Sequence, residues 1–336
     1  MPETIIILVV AIALLFEISN GWNDSANAIA TVVSTRVLTP LQAVLMASTM
    51  NIAGAIISTT FFTMSVSKTI GKGIVDPSDV TLVVIAAALL AGFLWNGAMT
   101  LLGLPVSASH ALIGGIMGAG VAHLGGFERL NFSGLIKIFT ALLTSPILGI
   151  FIGYIFMKVI IKLFCNKSPG TINKHFGRLQ IVSAGFMAFS HGSNDAQKVM
   201  GIITMALVSG GFLSSFEVPL WVILICALAM GFGIAAGGWR VIRTLGHQML
   251  KLQPVHGFAA ETAATSIILG ASSLGLPVST THVIATCIMG VGATKRLSAV
   301  RWGVARKIVM AWIFTLPMTA MAAWLIYHVF MLFGLK

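Results

Sequence analysis

Gly103-Leu104-Pro105-Val106-Ser107-Ala108-Ser109-His110 returns as Gly275-Leu276-Pro277-Val278-Ser279-Thr280-Thr281-His282, displaced by 277 − 105 = 172 residues. Around this pair lie three more matches at nearly the same shift. Gly21-Trp22-Asn23-Asp24 corresponds to Gly192-Ser193-Asn194-Asp195, with 195 − 24 = 171. Ile116-Met117-Gly118 with Gly120 corresponds to Ile288-Met289-Gly290 with Gly292, and Pro146 corresponds to Pro317. Any one of these would be noise. Four in the same order are a duplication.

The composition says where such a duplicated chain lives. Of 336 residues, 20 are Lys or Arg and 9 are Asp or Glu, 29 in all. A soluble domain of this length would carry about 84, at a quarter of its residues. The hydrophobic fraction is 57% and the mean hydropathy is +0.99. A soluble enzyme, a disordered chain and a nucleic-acid partner are excluded. Apolar stretches run at about 4–36, 41–64, 80–122, 134–163, 179–209, 218–237, 258–294 and 305–333, and about 20 residues suffice for one crossing. Strand alternation is absent, so the chain reads as an all-α polytopic membrane protein and not a β-barrel. The first stretch has no basic leader and no small-residue cleavage site, so it reads as a span. Cys165, Cys226 and Cys287 have no metal-binding spacing and read as packing residues.

The repeat divides the chain into a first membrane unit over 1–165, a short basic linker over 166–178 and a second membrane unit over 179–336. If the two Pro-Val-Ser regions are re-entrant helical hairpins, each unit has three crossings, and an odd number inverts the second unit. With the N-terminus outside, 14 basic residues from Arg36 to Lys307 fall in inner segments, with no acid among them. Five fall outside: Lys68, Lys72, Arg129, Lys137 and Lys336. That split is what the positive-inside rule expects of a cell-membrane protein with both termini outside. Inverted repeats with broken helices are a transporter architecture, with the site at the repeat interface.

Removing the loops leaves Glu17, Asp24, Asp195, Glu261 and Lys198 at membrane depth. Each costs a few kcal/mol or more there, and such residues either pair structurally or serve transport. Two carboxylates at equivalent repeat positions, each preceded by Asn, favour the second reading. Asn23-Asp24 and Asn194-Asp195 supply the oxygen ligands that hard cations choose. Gly21 and Gly192 are expected to let the helix unwind and bare its carbonyls beside an ion. Alternatively, a carboxylate in low dielectric takes up a proton.

The hairpin tips offer the complementary chemistry. Proline is expected to end one helix, and the hydroxyls of Ser107, Ser109, Ser279, Thr280 and Thr281 begin the next. Free N–H groups and hydroxyls at a helix start bind oxyanions, and two such tips could hold a tetrahedral anion from both sides. Ordinary N-capping is the plainer explanation for either tip alone. His110, His282 and His191 read as hydrogen-bonding residues before proton relays. Lys198, at the position of Asn27, either holds the anion, replaces a bound cation or pairs with Asp195.

These motifs resemble one known family, the PiT inorganic phosphate transporters. Its Gly-x-Asn-Asp-x-x-Asn signature stands here as Gly21-Trp22-Asn23-Asp24-Ser25-Ala26-Asn27 and as Gly192-Ser193-Asn194-Asp195-Ala196-Gln197-Lys198. The Pro-Val-Ser tips also look like that family, and the likeness runs nearly the whole chain. It implies a secondary carrier of inorganic phosphate coupled to a proton or sodium, with no further cofactor. It puts the cation at Asn23, Asp24, Asn194 and Asp195, where sodium is an option, and phosphate at Ser107, Ser109, Ser279, Thr280 and Thr281. Asn27, Lys198, His191 and Glu261 are accessory candidates. Trp22 and Lys198 depart from the pattern, and the run Ser190–Lys198 looks like the bacterial, proton-coupled branch. The expected partners are phosphate, the coupling ion and the bilayer, and a homo-oligomer is compatible with the sequence. The rival readings are a sulfate or other oxyanion permease of the same family and an anion channel; a channel would need a continuous polar pore. A membrane enzyme lacks any nucleophile–base spacing here.

Overall fold

The computed structural model describes residues 2–62 and 64–334 and is helical throughout, with no strand among the described residues beyond one isolated bridge between Val75 and Leu130. Lys336, counted above among the outer charges, lies outside the described residues. The first unit contains α1 (Pro2–Ser34), α2 (Pro40–Phe61), the short α3 (Ser65–Gly73), the hairpin α4 (Leu82–Leu102) and α5 (Ala108–Leu124), and α6 (Phe132–Phe164). The second contains α7 (Pro169–Ser209), α8 (Leu220–Ala236), the short α9 (Trp239–Arg243), the hairpin α10 (Pro254–Ser273) and α11 (Thr280–Ala293), and α12 (Trp302–Leu332). The stretch 166–178 is mostly not a linker, because α7 begins at Pro169, capped by the Ser168 hydroxyl.

Among the described residues five helices are long and apolar enough to cross a membrane, and the bent pair Leu220–Ala236 and Trp239–Gln248, taken as one span, would make a sixth. The pair bends by 63°, which is the broken helix of the fold. α4 reaches about 31 Å at 1.5 Å per residue, a full crossing by itself. Its partner α5, like α11, is shorter, so the arms of each hairpin are unequal.

Packing follows the duplication crosswise. α1 lies on α8 and α2 on α7; α5 lies on α12 and α6 on α11. The equivalent helices α1 and α7 run antiparallel. Thr35 meets Gln180 at 2.9 Å and Asp24 meets His191 at 3.4 Å. The contact therefore moves back 35 − 24 = 11 residues on one helix and forward 191 − 180 = 11 on the other. The basic segments gather at one end of this arrangement, where Ser34 adjoins Gly246 and Val37 adjoins Gly177.

Two local expectations are corrected. α1 and α7 are continuous through Asn23-Asp24 and Asn194-Asp195, so neither Gly21 nor Gly192 unwinds its helix. The glycines serve close approach instead. A Cβ on Gly21 would stand 2.5 Å from the Met230 carbonyl oxygen, and one on Gly192 would stand 2.8 Å from the Asn51 Cα. Small residues let membrane helices touch backbone to backbone. Nor does proline end the first arm of each hairpin. Gly103 and Gly275, at φ 72° and 66°, close α4 and α10 in left-handed caps two residues earlier, a conformation glycine adopts without strain.

Candidate substrate and coupling site

The hairpin tips converge at the repeat interface. The His110 and His282 ring centroids stand 4.7 Å apart, and the Ser109 hydroxyl donates to the Val278 carbonyl at 3.3 Å. His282 also stacks on Trp312, whose indole N–H donates to the Pro105 carbonyl at 3.0 Å. Both tips are therefore braced on each other and on α12. Ser107 and Ser279 are the N-caps of α5 and α11, accepting the His110 and His282 amides at 3.2 and 3.3 Å. The plainer reading of those two hydroxyls holds in this conformation, and the free N–H groups of both helix starts remain beside them.

Asp24 and Asp195 meet across the interface, although they belong to different repeats. Asp24 accepts the Thr281 hydroxyl at 2.8 Å, and Asp195 accepts the Thr280 hydroxyl at 3.2 Å. Asn27 donates to Thr281 at 3.0 Å. The Lys198 ammonium lies 2.7 Å from Asp195 and 3.0 Å from the Val278 carbonyl. His191 Nε2 sits between the carboxylates, 3.4 Å from Asp24 and 3.7 Å from Asp195. All of these side chains are buried.

The tautomer of His191 follows from its other neighbour. Asn51 spends its amide N–H on the Ala47 carbonyl at 2.9 Å, so its oxygen faces His191 Nδ1 at 2.7 Å. Nδ1 must then carry a hydrogen. A lone pair on Nε2 would face two carboxylate oxygens, so that nitrogen or one carboxyl oxygen also holds a proton. With His191 as imidazolium the four groups sum to zero: Asp24 and Asp195 against Lys198 and His191.

The Asn residues of the two motifs are used differently. Asn23 clasps the first hairpin: its amide donates to the Thr100 hydroxyl at 2.8 Å and the Leu104 carbonyl at 3.2 Å, and its oxygen accepts the Val106 amide at 3.2 Å. Asn194 donates to Ser272 at 2.7 Å, the equivalent of Thr100, but its oxygen has no donor. Glu261 stands apart from the cluster and meets no cation. It accepts Thr31 at 2.5 Å, Gln180 at 3.2 Å and the Ser183 hydroxyl. Asn51, Thr100, Ser272 and Gln180 were not singled out beforehand. Asn51 had a visible signal, an amide in the middle of an apolar helix.

Residues 20–323 match the phosphate transporter family. The chain belongs to the phosphate transporter family. Its curated relatives include proteins named "Probable low-affinity inorganic phosphate transporter". The one from Bacillus subtilis (strain 168) is 45% identical, with 96% of each chain covered. The one from Rhizobium meliloti (strain 1021) is 45% identical, covering 95% of this chain and 94% of the relative. A solved structure described as "The sodium-dependent phosphate transporter" superposes with a TM-score of 0.89 at 26% identity, covering 98% of this chain and 99% of that one. This phosphate-transporter-family protein is thus a multi-pass membrane protein of a transporter family, not of an enzyme family.

Asp24, His191 and Asp195 have ligand atoms within 4.8 Å of one another, close enough for a shared cation. For sodium the donor set is mixed. Asp195 already holds an ammonium, and Asn23, an expected ligand, has both side-chain atoms committed to the hairpin. The amide oxygens of Asn27 and Asn194, in contrast, are buried and without a partner among the described residues, as ligands for a hard cation would be.

Proposed function

We propose that the chain carries inorganic phosphate across the cell membrane by symport with protons, through alternating access at the repeat interface, with both termini outside. The observation that carries the proton reading is His191, whose Nε2 faces Asp24 and Asp195 while Nδ1 is committed to Asn51. Asp24, Asp195, Lys198 and His191 together need one proton to be neutral, with the buried Glu17 as a further acid near by, and sodium has a resident competitor in Lys198.

Coupling follows from shared donors. Thr280 and Thr281 give their hydroxyls to Asp195 and Asp24. The same hydroxyls, with the α5 and α11 helix starts, are the groups that would bind a tetrahedral oxyanion. A phosphate that takes them strips the carboxylates of a donor, and a proton taken up by one of them offsets the negative charge brought by the anion. Anion and proton then bind best together. Protonated phosphate also donates a hydrogen bond, for which a carboxylate is the natural acceptor. Sulfate has no such hydrogen and would face that carboxylate charge to charge, and unmatched polar groups discriminate strongly.

The test is labelled-phosphate uptake into proteoliposomes with proton and sodium gradients imposed separately. A proton gradient should drive uptake without sodium, Asp24→Asn should abolish the drive, and arsenate should compete while sulfate does not. Uptake that requires sodium and ignores the proton gradient overturns the coupling. Sulfate competing as well as arsenate overturns the choice of anion.

A further inference from the structure

Beside the first hairpin tip, two cavities share Leu104 and Lys307 in their walls. One, of about 390 Å³, is lined by Arg240, Arg243 and Lys307, with Thr244 and Gln248. The other, of about 750 Å³, runs from Arg306 and Lys307 along Trp95, Met99, Met310 and Phe314 on α4 and α12. No Asp or Glu occurs between Glu217 and Glu261 or beyond Glu261, so no acid of the surrounding segments neutralises the basic end. Trp239 and Trp302 are exposed at that end, where aromatic side chains mark the boundary between headgroups and hydrocarbon.

We propose that these two cavities form one groove and hold one anionic phospholipid, with its phosphate among Arg240, Arg243 and Lys307 and an acyl chain along Met99, Met310 and Phe314. A free phosphate would match the basic cavity alone. The apolar continuation, opening at the same lysine, fits the remainder of a lipid, and basic pockets between membrane helices are recognised headgroup sites. The groove is also connected to the transport machinery. Arg240 already donates to the Leu101 carbonyl, and Thr244 donates to the Gly103 carbonyl at 2.7 Å. Leu104 forms part of both cavities and is itself held by Asn23. A lipid seated here braces the tip of the α4–α5 hairpin against α9 and α12.

The experiment is native mass spectrometry of the full chain in detergent, titrated with phosphatidylglycerol or phosphatidylcholine. One phosphatidylglycerol should be retained in preference to phosphatidylcholine. Arg243→Gln with Lys307→Gln should weaken its retention about 30-fold, from two basic side chains at their usual membrane-surface value. Met310→Trp, which fills the apolar groove without changing charge, should weaken it as well. Lys167→Gln with Lys174→Gln removes the same charge elsewhere and should leave retention unchanged. The proposal is overturned if that control pair weakens retention equally, which would indicate a diffuse basic face. It is also overturned if inorganic phosphate or glycerol phosphate at millimolar concentration displaces the lipid, which would indicate a soluble-anion site. These readouts measure binding and stand whether or not uptake proves proton-coupled.

Discussion

Replacing Lys198 with Met tests the central charge pair. The ammonium lies 2.7 Å from Asp195, and the two side chains are only 3% and 2% exposed. Breaking one partner of a buried pair typically costs about 3–5 kcal/mol, because the other charge stays buried. The lower end is expected here, since Asp195 keeps Thr280 and the neighbouring His191. Val278 also loses one donor but retains Ser109. Asp195→Asn should cost a similar amount, about 3 kcal/mol, by leaving the ammonium with only neutral acceptors. Removing both leaves no stranded charge, so the double variant should lose well under the sum of about 6 kcal/mol, nearer to 2. The assay is denaturant unfolding of all four proteins in the same detergent, read as a double-mutant cycle. Two losses that add within about 0.5 kcal/mol, the behaviour of independent sites, would refute the pairing.

A second expectation concerns the helix contact that Gly192 allows. Gly192→Ala should destabilise by about 1–3 kcal/mol as an overpacked site, because its Cβ would overlap the Asn51 carbonyl; Gly185→Ala, which meets only the Met50 methyl at 3.9 Å, should be close to neutral in the same unfolding measurement. The third concerns orientation and uses native thiols. Cys165 is exposed whereas Cys226 and Cys287 are buried, so a membrane-impermeant maleimide should label Cys165 in inside-out vesicles and not in intact cells; the reverse pattern would place the termini inside.

Much of this architecture was legible because a membrane makes polar residues conspicuous. Against a chain 57% hydrophobic, each carboxylate at depth stands out, and the recurrence of Asn-Asp at a constant shift marked both helices that build the cluster. Which donor meets which acid was not legible. Thr281 and Asp24 are 257 residues apart, and no local pattern tells that the second hairpin crosses to the first repeat. The glycines misled for a related reason. One residue type serves an unwound helix and a tight helix crossing alike, and the choice depends on the neighbour, here the Asn51 backbone beside Gly192.

The duplication also hides what differs between its halves. Val106 gives its amide to Asn23, whereas the equivalent amide of Val278 turns back to Leu276 and leaves the Asn194 oxygen without a donor. The Val278 carbonyl is held instead by Lys198 and Ser109. Two tips of nearly the same sequence therefore rest in different engagements, the first clasped by Asn23 of its own motif, the second held by Lys198 of its own motif and by Ser109, Asn27 and Asp24 across the interface. Lys198 stands where the first repeat has Asn27, but it reaches the tip of its own repeat at Val278, whereas Asn27 reaches Thr281 of the other repeat's tip. The residue that departs from the repeat in the motif's last position therefore holds the tip of its own repeat while supplying the charge that balances Asp195.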